Sequence, residues 1–184
     1  MPVHVNGAKK GDTFMGTVSL RGITRDDIPL LWKWLNEYPR ANFDDSAPQM
    51  IEEFEVEMGR RLGRGEICMG ALHNGKLVGC IGYAPVTHRL GSLHGICFSK
   101  DVHGTGVAAF AVKNFLKMLF AGKVEKVFAT YFHDNLRIKK FLRRQGFVHE
   151  GTLVDHVVRG GKVTTMSLVA LHRKNFTPSG ESAQ

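Results

Sequence analysis

The residues best suited to chemistry lie at one junction, where an apolar segment ends and a helical pattern begins. The junction reads Phe98-Ser99-Lys100-Asp101-Val102-His103-Gly104-Thr105-Gly106-Val107-Ala108. Glycines allow main-chain conformations and close approaches that a side chain would forbid. The N–H groups at the start of a helix, together with the positive end of the helix dipole, favour a bound phosphate. The spacing therefore predicts a turn that binds a phosphate or pyrophosphate, with a plain tight loop as the alternative.

Two common nucleotide-binding motifs do not fit this junction. The dinucleotide-binding pattern needs a third glycine and an acidic residue about 20 positions further on. Here the third glycine is absent, and Gly122 and Lys123 stand where the acid would be expected. The pattern of nucleoside triphosphate-binding loops also fails, because no Gly-Lys-Ser or Gly-Lys-Thr follows. A dinucleotide or ATP site is therefore disfavoured.

The elements that must position the turn are short strands and amphipathic helices. Thr24 and Asp27 form a capping pattern ahead of the first helix, and Asn74-Gly75 predicts a type I′ hairpin turn. Apolar periodicity predicts helices from residue 24 and over 48–62, 105–120 and 135–145. Strand patterns cover 16–21, 67–72, 77–84, 92–98, 124–131, 147–158 and 163–172. The order predicts an α+β (mixed α/β) fold, with a central mixed, mostly antiparallel sheet of about seven strands flanked by about four helices.

The composition is that of a folded globular protein, with 184 residues, 43% apolar and 23% charged. We expect a single domain over residues 16–173, a frayed N-terminus over 1–15 and a flexible tail over 174–184. Cys68, Cys80 and Cys97 lie in apolar segments and predict buried, reduced thiols. No apolar run approaches the length of about 18 residues that a membrane span needs, and the first residues lack the apolar core of a signal peptide. The sequence therefore predicts a cytoplasmic protein with no membrane partner.

The net charge of +8 comes from 25 Lys and Arg residues against 17 Asp and Glu residues. This balance favours an anionic partner, such as a nucleic acid, a phosphate-rich cofactor or an acidic protein, with ordinary solvated surface as the alternative. The nine histidines are scattered, and no cysteine pair has the spacing of zinc ligands. No metal site is therefore predicted.

The junction resembles the signature of the GNAT superfamily of acyl-CoA N-acyltransferases. That signature is Gln/Arg-x-x-Gly-x-Gly/Ala, and the chain matches it at Gly106 and Ala108 but has His103 at the first position. A second family motif, an asparagine followed downstream by Gly-Phe, is similar to Asn135 and Gly146-Phe147.

The N-terminal part of the chain adds a third similarity. The segment from Ser19 to Asp27, with Leu31-Trp32 in the next helix, looks like the ribosomal-protein N-terminal acetyltransferase-like subgroup. The resemblance covers about residues 17–172, and the order of the elements agrees throughout.

The resemblance implies an enzyme that uses acetyl-CoA as co-substrate. The amides of residues 103–108 would hold its pyrophosphate, and Asn135 and Lys140 would contact it further along. The pantetheine arm would pair with strand 92–98 where this strand splays from strand 124–131. The thioester carbonyl would then lie against a main-chain N–H near Cys97 to Ser99, and this N–H would stabilise the oxyanion. The acceptor would be a primary amine, either a protein N-terminus or a small molecule, that attacks directly in a ternary complex.

The proton donor and the general base are less clearly marked. Family members often place a tyrosine acid where this chain has Leu142, so the proton would come from another group, from water or not at all. Tyr131 is the candidate acid as the nearest tyrosine in sequence, and His133 is the nearest histidine. His94 is the candidate base because an imidazole has a suitable pKa, with a structural role as the alternative. Other acceptors of a proton are weaker candidates, namely Glu66, His73, Glu150 and Asp155.

Two other classes of function stay open. Leu142 and His103, as departures from the family pattern, suit a non-catalytic acyl-CoA-binding or regulatory module. Five cations over residues 137–144 suit a nucleic-acid partner, which the absence of interleaved aromatic residues disfavours. The basic charge argues mildly against polyamine acceptors. The oligomeric state is open, a homodimer included.

Overall fold

The seven strands form a single sheet in the order β1-β2-β3-β4-β5-β7-β6. The computed structural model describes residues 16–39 and 42–178. Within them the strands are β1 Val18–Gly22, β2 Ile67–His73, β3 Lys76–Pro85, β4 Leu90–Phe98, β5 Lys126–Phe132, β6 Val148–Arg159 and β7 Lys162–His172. The helices are α1 Ile28–Glu37, α2 Ile51–Gly63, α3 Val107–Ala121 and α4 Leu136–Arg144. All neighbouring strands are antiparallel except β4 and β5, and the predicted fold class is confirmed.

Local chemistry explains where these elements begin and turn. Asn74 and Gly75 both have positive φ, as the predicted type I′ turn requires. Helix α2 begins at Ile51 rather than at residue 48, because Met50 is its N-cap and accepts the first helical bond, from Phe54. Helix α3 begins at Val107 because Gly106, its N-cap, has a φ of 86° in the left-handed region.

Two apolar layers cover the two faces of the sheet. Among the apolar residues whose periodicity predicted α3, Val112, Phe115 and Leu116 are fully buried in the larger core cluster. On the other face, Leu31 and Trp34 of α1 pack with Cys97 of β4. Fully burying one such large apolar side chain stabilises the fold by about 1.5–3 kcal/mol. The sheet is therefore held between α3 on one face and α1 with α2 on the other.

The parallel strands β4 and β5 separate part-way along their length. They pair only from Leu90 and Lys126 to Ser92 and Phe128. Beyond this point β4 pairs with β3 and β5 pairs with β7. Residues 93–98 of β4 therefore present a strand edge that β5 does not cover, which we call the open edge.

A bulge in β4 sets the direction of the side chains along this edge. His94 stands opposite Gly82 and Cys97 opposite Cys80, so β4 has one residue more than β3 between these pairs. Gly95, with a φ of 57°, takes up the extra residue. Because of this insertion, His94 and Cys97 lie on the same face of the sheet, beneath α1 and α2.

The described chain continues beyond β7 into a short 3₁₀ turn, Arg173–Asn175, after which Phe176 packs against Phe120 at a ring distance of 5.2 Å. The N-terminus over 1–15 and residues 179–184 of the predicted tail lie outside the described residues. The division into a domain over 16–173 and a tail from 174 stays a prediction. Among the helices of the described residues, none is long and apolar enough to cross a membrane.

Candidate active site

The open edge of β4 carries main-chain groups that face away from β3. The N–H of Ser99 donates to the carbonyl of Val78 on β3, at 2.8 Å. Successive residues of a strand direct their N–H and C=O groups to opposite sides. The N–H and C=O of Phe98 therefore point to the open edge, where the hydroxyl of Tyr38 donates to the Phe98 carbonyl at 2.7 Å. Of the main-chain donors predicted from Cys97 to Ser99, the N–H of Phe98 faces the open edge.

The glycine turn directly follows this edge and leaves several N–H groups without helical partners. The first intrahelical bond of α3 runs from Phe110 to Gly106, at 3.0 Å. The N–H groups of residues 107–109 precede it and have no acceptor within the helix. Gly104 has a φ of 77°, and a Cβ built there would meet nothing within 4 Å. The N–H groups of His103 and Thr105 donate to carbonyls within the turn, so the donors that fit a pyrophosphate are those at the start of α3, beside a turn that is open to solvent at Gly104.

His103 contacts the same hydroxyl that binds the Phe98 carbonyl. Its Nε2 lies 2.9 Å from the Tyr38 oxygen. That oxygen carries one proton, which it donates to Phe98, so Nε2 must carry the proton of this second bond. Burial, followed by the charge of Arg137, lowers the pKa of His103. Burial raises the pKa of Tyr38. At neutral pH the pair is therefore an uncharged imidazole that donates to an uncharged phenol.

Helix α4 begins beside this pair. Asn135 caps the helix, because its side-chain oxygen accepts from the N–H of Ile138 at 3.1 Å. The charge of Arg137 affects the pKa of both His103 and Tyr38. Lys140 is exposed on the same helix, together with the other cations Arg137, Lys139, Arg143 and Arg144. The start of α4 thus brings positive charge towards the glycine turn.

His94 lies in an ionic network beneath α2. A guanidinium N–H of Arg61 is 3.2 Å from His94 Nδ1, which must accept because a guanidinium only donates. The proton therefore sits on Nε2, 3.0 Å from a carboxylate oxygen of Glu66, although not aligned for a good hydrogen bond. Burial, followed by the charge of Arg61, lowers the pKa of His94. Both ring nitrogens face partners within the protein, which favours the structural alternative; the base role stays a prediction.

Tyr131 and Leu142 lie in the core. Tyr131 is 6% exposed and packs in the larger cluster with α3, whereas His94 lies on the opposite face of the sheet. Leu142 is 2% exposed in the same cluster as Tyr131. The structure therefore does not bring the candidate acid and the candidate base together, and it brings Tyr38 to Phe98 and His103 instead.

Residues 42–50, which precede α2, are joined to the last hairpin by hydrogen bonds. The carboxylate of Asp45 accepts from the N–H groups of Gly160 and Gly161 at 2.7 and 2.9 Å, and its own N–H donates to Val158. A pocket of about 180 Å³ lies between α1 and this segment, lined by Leu35, Asn36, Tyr38, Phe43 and Pro48. Tyr38 thus borders this pocket, and its hydroxyl contacts the open edge.

Sequence reasoning missed Tyr38 and the bulge at Gly95. Tyr38 is separated from Phe98 and His103 by 60 and 65 residues, and no local pattern marks it. The bulge had a signal, since a glycine inside a strand often marks one.

The model of the acetyltransferase (GNAT) family matches residues 28–147, which is more than half of the chain. The chain therefore belongs to the acetyltransferase (GNAT) family, and the superfamily predicted from the sequence is confirmed. A comparison with curated proteins gave no match.

Solved structures with the same fold include two N-acetyltransferases. Ribosomal-protein-alanine N-acetyltransferase from Brucella melitensis is 18% identical, with a TM-score of 0.70 over 83% of this chain and 98% of that one. Spermidine N-acetyltransferase from Vibrio cholerae, solved with CoA and spermine, is 18% identical, with a TM-score of 0.74 over 86% of this chain and 96% of that one. At this identity the likeness establishes the fold. In the described residues no group of three or more His, Cys, Asp and Glu side chains is arranged to hold a metal ion.

Proposed function

We propose that the protein transfers the acetyl group of acetyl-CoA to a primary amine by direct attack in a ternary complex. The observation that carries this proposal is the separation of β4 from β5. It leaves the main-chain N–H and C=O of Phe98 facing an open edge that leads directly into the glycine turn. A strand edge of this kind can pair with the amide groups of a pantetheine arm.

The residues around the turn suit the phosphates of the co-substrate. The N–H groups at the start of α3 and the positive φ of Gly104 and Gly106 provide a cradle for the pyrophosphate. Lys140 and the other cations of α4 suit the remaining phosphate charge. Asn135 uses its oxygen to cap α4, and its amide N–H₂ is the part that would contact the co-substrate. The net charge of +8 agrees with an anionic partner.

The chemistry needs no covalent intermediate on the protein. A neutral amine is itself a nucleophile, and the N–H of Phe98 would donate to the thioester oxygen as negative charge develops there. One such donor contributes about 3 kcal/mol in comparable sites. Burial raises the pKa of Cys97 to about 12, so this thiol stays protonated at neutral pH and is a poor nucleophile. Direct attack is therefore the simpler route.

The acceptor is a protein N-terminus or a small-molecule amine. The two solved relatives are named for a ribosomal protein and for spermidine, so the shared fold accommodates chemically different acceptors. The pocket beside Tyr38 is small, at about 180 Å³. It suits the group that carries the amine rather than a long chain.

A non-catalytic acyl-CoA-binding module is the second candidate. The observation that favours it is Leu142, which is buried and aliphatic where family members often have a tyrosine acid. The two candidates differ in turnover: the enzyme releases CoA only with a suitable amine, and the module binds CoA without release. Incubation with acetyl-CoA, a panel of amines and peptides, and a thiol reagent separates them.

The site itself is tested by Gly106→Val. The side chain would fill the phosphate cradle, and we expect CoA affinity by calorimetry to fall at least 100-fold, the effect of losing several amide–phosphate contacts. Gly75→Val is the matched control, because Gly75 has a similar φ of 79° in open space at the β2–β3 turn. Both variants should lose about 1–2 kcal/mol of stability from backbone strain, but the control should bind CoA normally. Unchanged CoA affinity in Gly106→Val would refute the proposed site.

A further inference from the structure

We propose that Tyr38 is the catalytic residue that protonates the leaving thiolate, and that His103 positions and polarises its hydroxyl. This inference rests on the proposed function. It assigns a chemical role to a residue on α1 that no sequence motif marks.

The reaction itself creates the need for such a group. When the amine attacks the thioester, the new C–N bond forms, the C–S bond breaks, and the electron pair of that bond leaves on sulfur. The sulfur must gain a proton, or a hydrogen bond that replaces one, for the products to separate. The attacking nitrogen releases a proton to solvent in the same reaction, and the proton donor regains one from solvent, so the protons balance.

Within residues 16–39 and 42–178, few groups near the open edge can supply this proton. Leu142 has no proton to give, and Tyr131 is packed in the core on the α3 side of the sheet. The Cys97 thiol lies in the apolar cluster beneath α1. His94 is held by Arg61 and Glu66. The hydroxyl of Tyr38 remains, and it is already bonded to a main-chain group of the open edge.

The geometry around the hydroxyl fits a proton donor. Tyr38 donates to the Phe98 carbonyl at 2.7 Å, and the N–H of the same residue faces the same side of β4. The hydroxyl proton of Tyr38 therefore lies next to the N–H of Phe98, the main-chain donor assigned to the thioester oxygen. The side chain is half-buried at the end of α1, where it borders the pocket and the edge at once.

His103 acts through Tyr38. Its Nε2–H donates to the Tyr38 oxygen at 2.9 Å, which stabilises negative charge on that oxygen while the proton moves to sulfur. The titratable and charged groups that face the pair are the cations Arg137 and Lys100, the acid Glu37 and the thiol of Cys97. Burial holds the pKa of Tyr38 above its ordinary value, so the hydroxyl keeps its proton at the alkaline pH where an acceptor amine is deprotonated.

The test compares Tyr38→Phe with Tyr83→Phe. Tyr83 is buried in the core, and its hydroxyl has no hydrogen-bond partner among the described residues, so its removal leaves the site intact. We expect Tyr38→Phe to lower kcat with acetyl-CoA at least 100-fold, the usual contribution of a positioned acid. The affinity for CoA should change less than about twofold, because the substitution removes one hydroxyl and no contact to a phosphate.

Leaving-group dependence separates a proton donor from a structural contact. The acetyl thioester of N-acetylcysteamine releases a thiol like that of CoA. The acetyl thioester of 4-nitrothiophenol releases a far more acidic thiol, whose thiolate leaves without a proton. Tyr38→Phe should impair the first at least 10 times more than the second. An equal loss with both donors, or a kcat with acetyl-CoA within about fivefold of the wild-type value, overturns the proposal.

Variants of His103 test the positioning role. His103→Gln keeps an N–H donor and should retain most of kcat, whereas His103→Leu should lose about 10-fold or more at matched CoA saturation. Equal kcat in the two variants overturns the role of His103. Failure of the wild-type protein to acetylate any amine would instead refute the proposed function, so the two failures are distinguishable.

Discussion

Asp27→Asn tests how α1, and with it Tyr38, is anchored to the sheet. The carboxylate of Asp27 binds Arg21 of β1 through two hydrogen bonds of 2.6 and 2.7 Å. It also accepts from the main-chain N–H and the hydroxyl of Thr24, at 2.8 and 3.0 Å. The asparagine keeps the size of the side chain but removes its charge.

The pKa of Asp27 gives the magnitude of the effect. The hydrogen bonds from Arg21, aided by those from Thr24, lower this pKa from 3.8 to about 2. A difference of about 1.8 pKa units, at about 1.4 kcal/mol per unit, corresponds to about 2.5 kcal/mol of stability at neutral pH. The Arg21 side chain is 36% exposed, so solvent screening reduces this contribution. We expect Asp27→Asn to cost between about 1 and 2 kcal/mol at pH 7.

The pH dependence has a definite sign. A carboxylate whose pKa is lowered by folding stabilises the folded state above its unfolded pKa and loses this effect as the pH falls. The difference between wild type and Asp27→Asn should therefore be constant from pH 7 to about 5 and shrink between pH 4 and 2.

Urea denaturation at a series of pH values measures this difference. Asp26→Asn is the matched control, because Asp26 is the exposed neighbour of Asp27; it should change stability by less than about 0.5 kcal/mol. The reasoning would be refuted by a loss in Asp27→Asn that is as large at pH 3 as at pH 7. A loss no greater than that of the control would refute it equally.

Three further substitutions test the other residues singled out by the sequence. Because folding lowers the pKa of His94, the wild-type protein should lose stability as the pH falls below about 6.5. His94→Ala should melt at a lower temperature, lack this pH dependence of stability and keep the pH profile of kcat/KM. Loss of the acidic limb of that profile, with an unchanged melting temperature, would show that His94 is the base. Leu142→Tyr should overpack the core and cost about 1–3 kcal/mol without raising turnover, so faster CoA release at equal stability would contradict the packing argument. Tyr131→Phe should lower kcat by less than about 100-fold, and a larger loss at unchanged acetyl-CoA affinity would move the acid to Tyr131.

The local elements could be predicted because their causes lie within a few residues. The Asn74-Gly75 turn needs only two positive φ values, which these residue types adopt readily. The glycine turn before α3 and the apolar stripe of that helix were likewise readable from spacing, and both are present. The boundaries moved by two or three residues where a cap decided them, as at Met50 and Gly106.

The sequence by itself determined the order of the elements, the glycine turn and, through three short motifs, the family. Only the tertiary structure decided which side chains meet at the open edge. Tyr38 reaches Phe98 and His103 across 60 and 65 residues, because α1 packs over β4. The bulge at Gly95 decided that His94 and Cys97 share a face, since one inserted residue reverses the alternation of a strand. Local propensities act over a few residues, whereas these side-chain contacts depend on how the helices pack and on the register of the strands. No short stretch of sequence encodes that packing or that register.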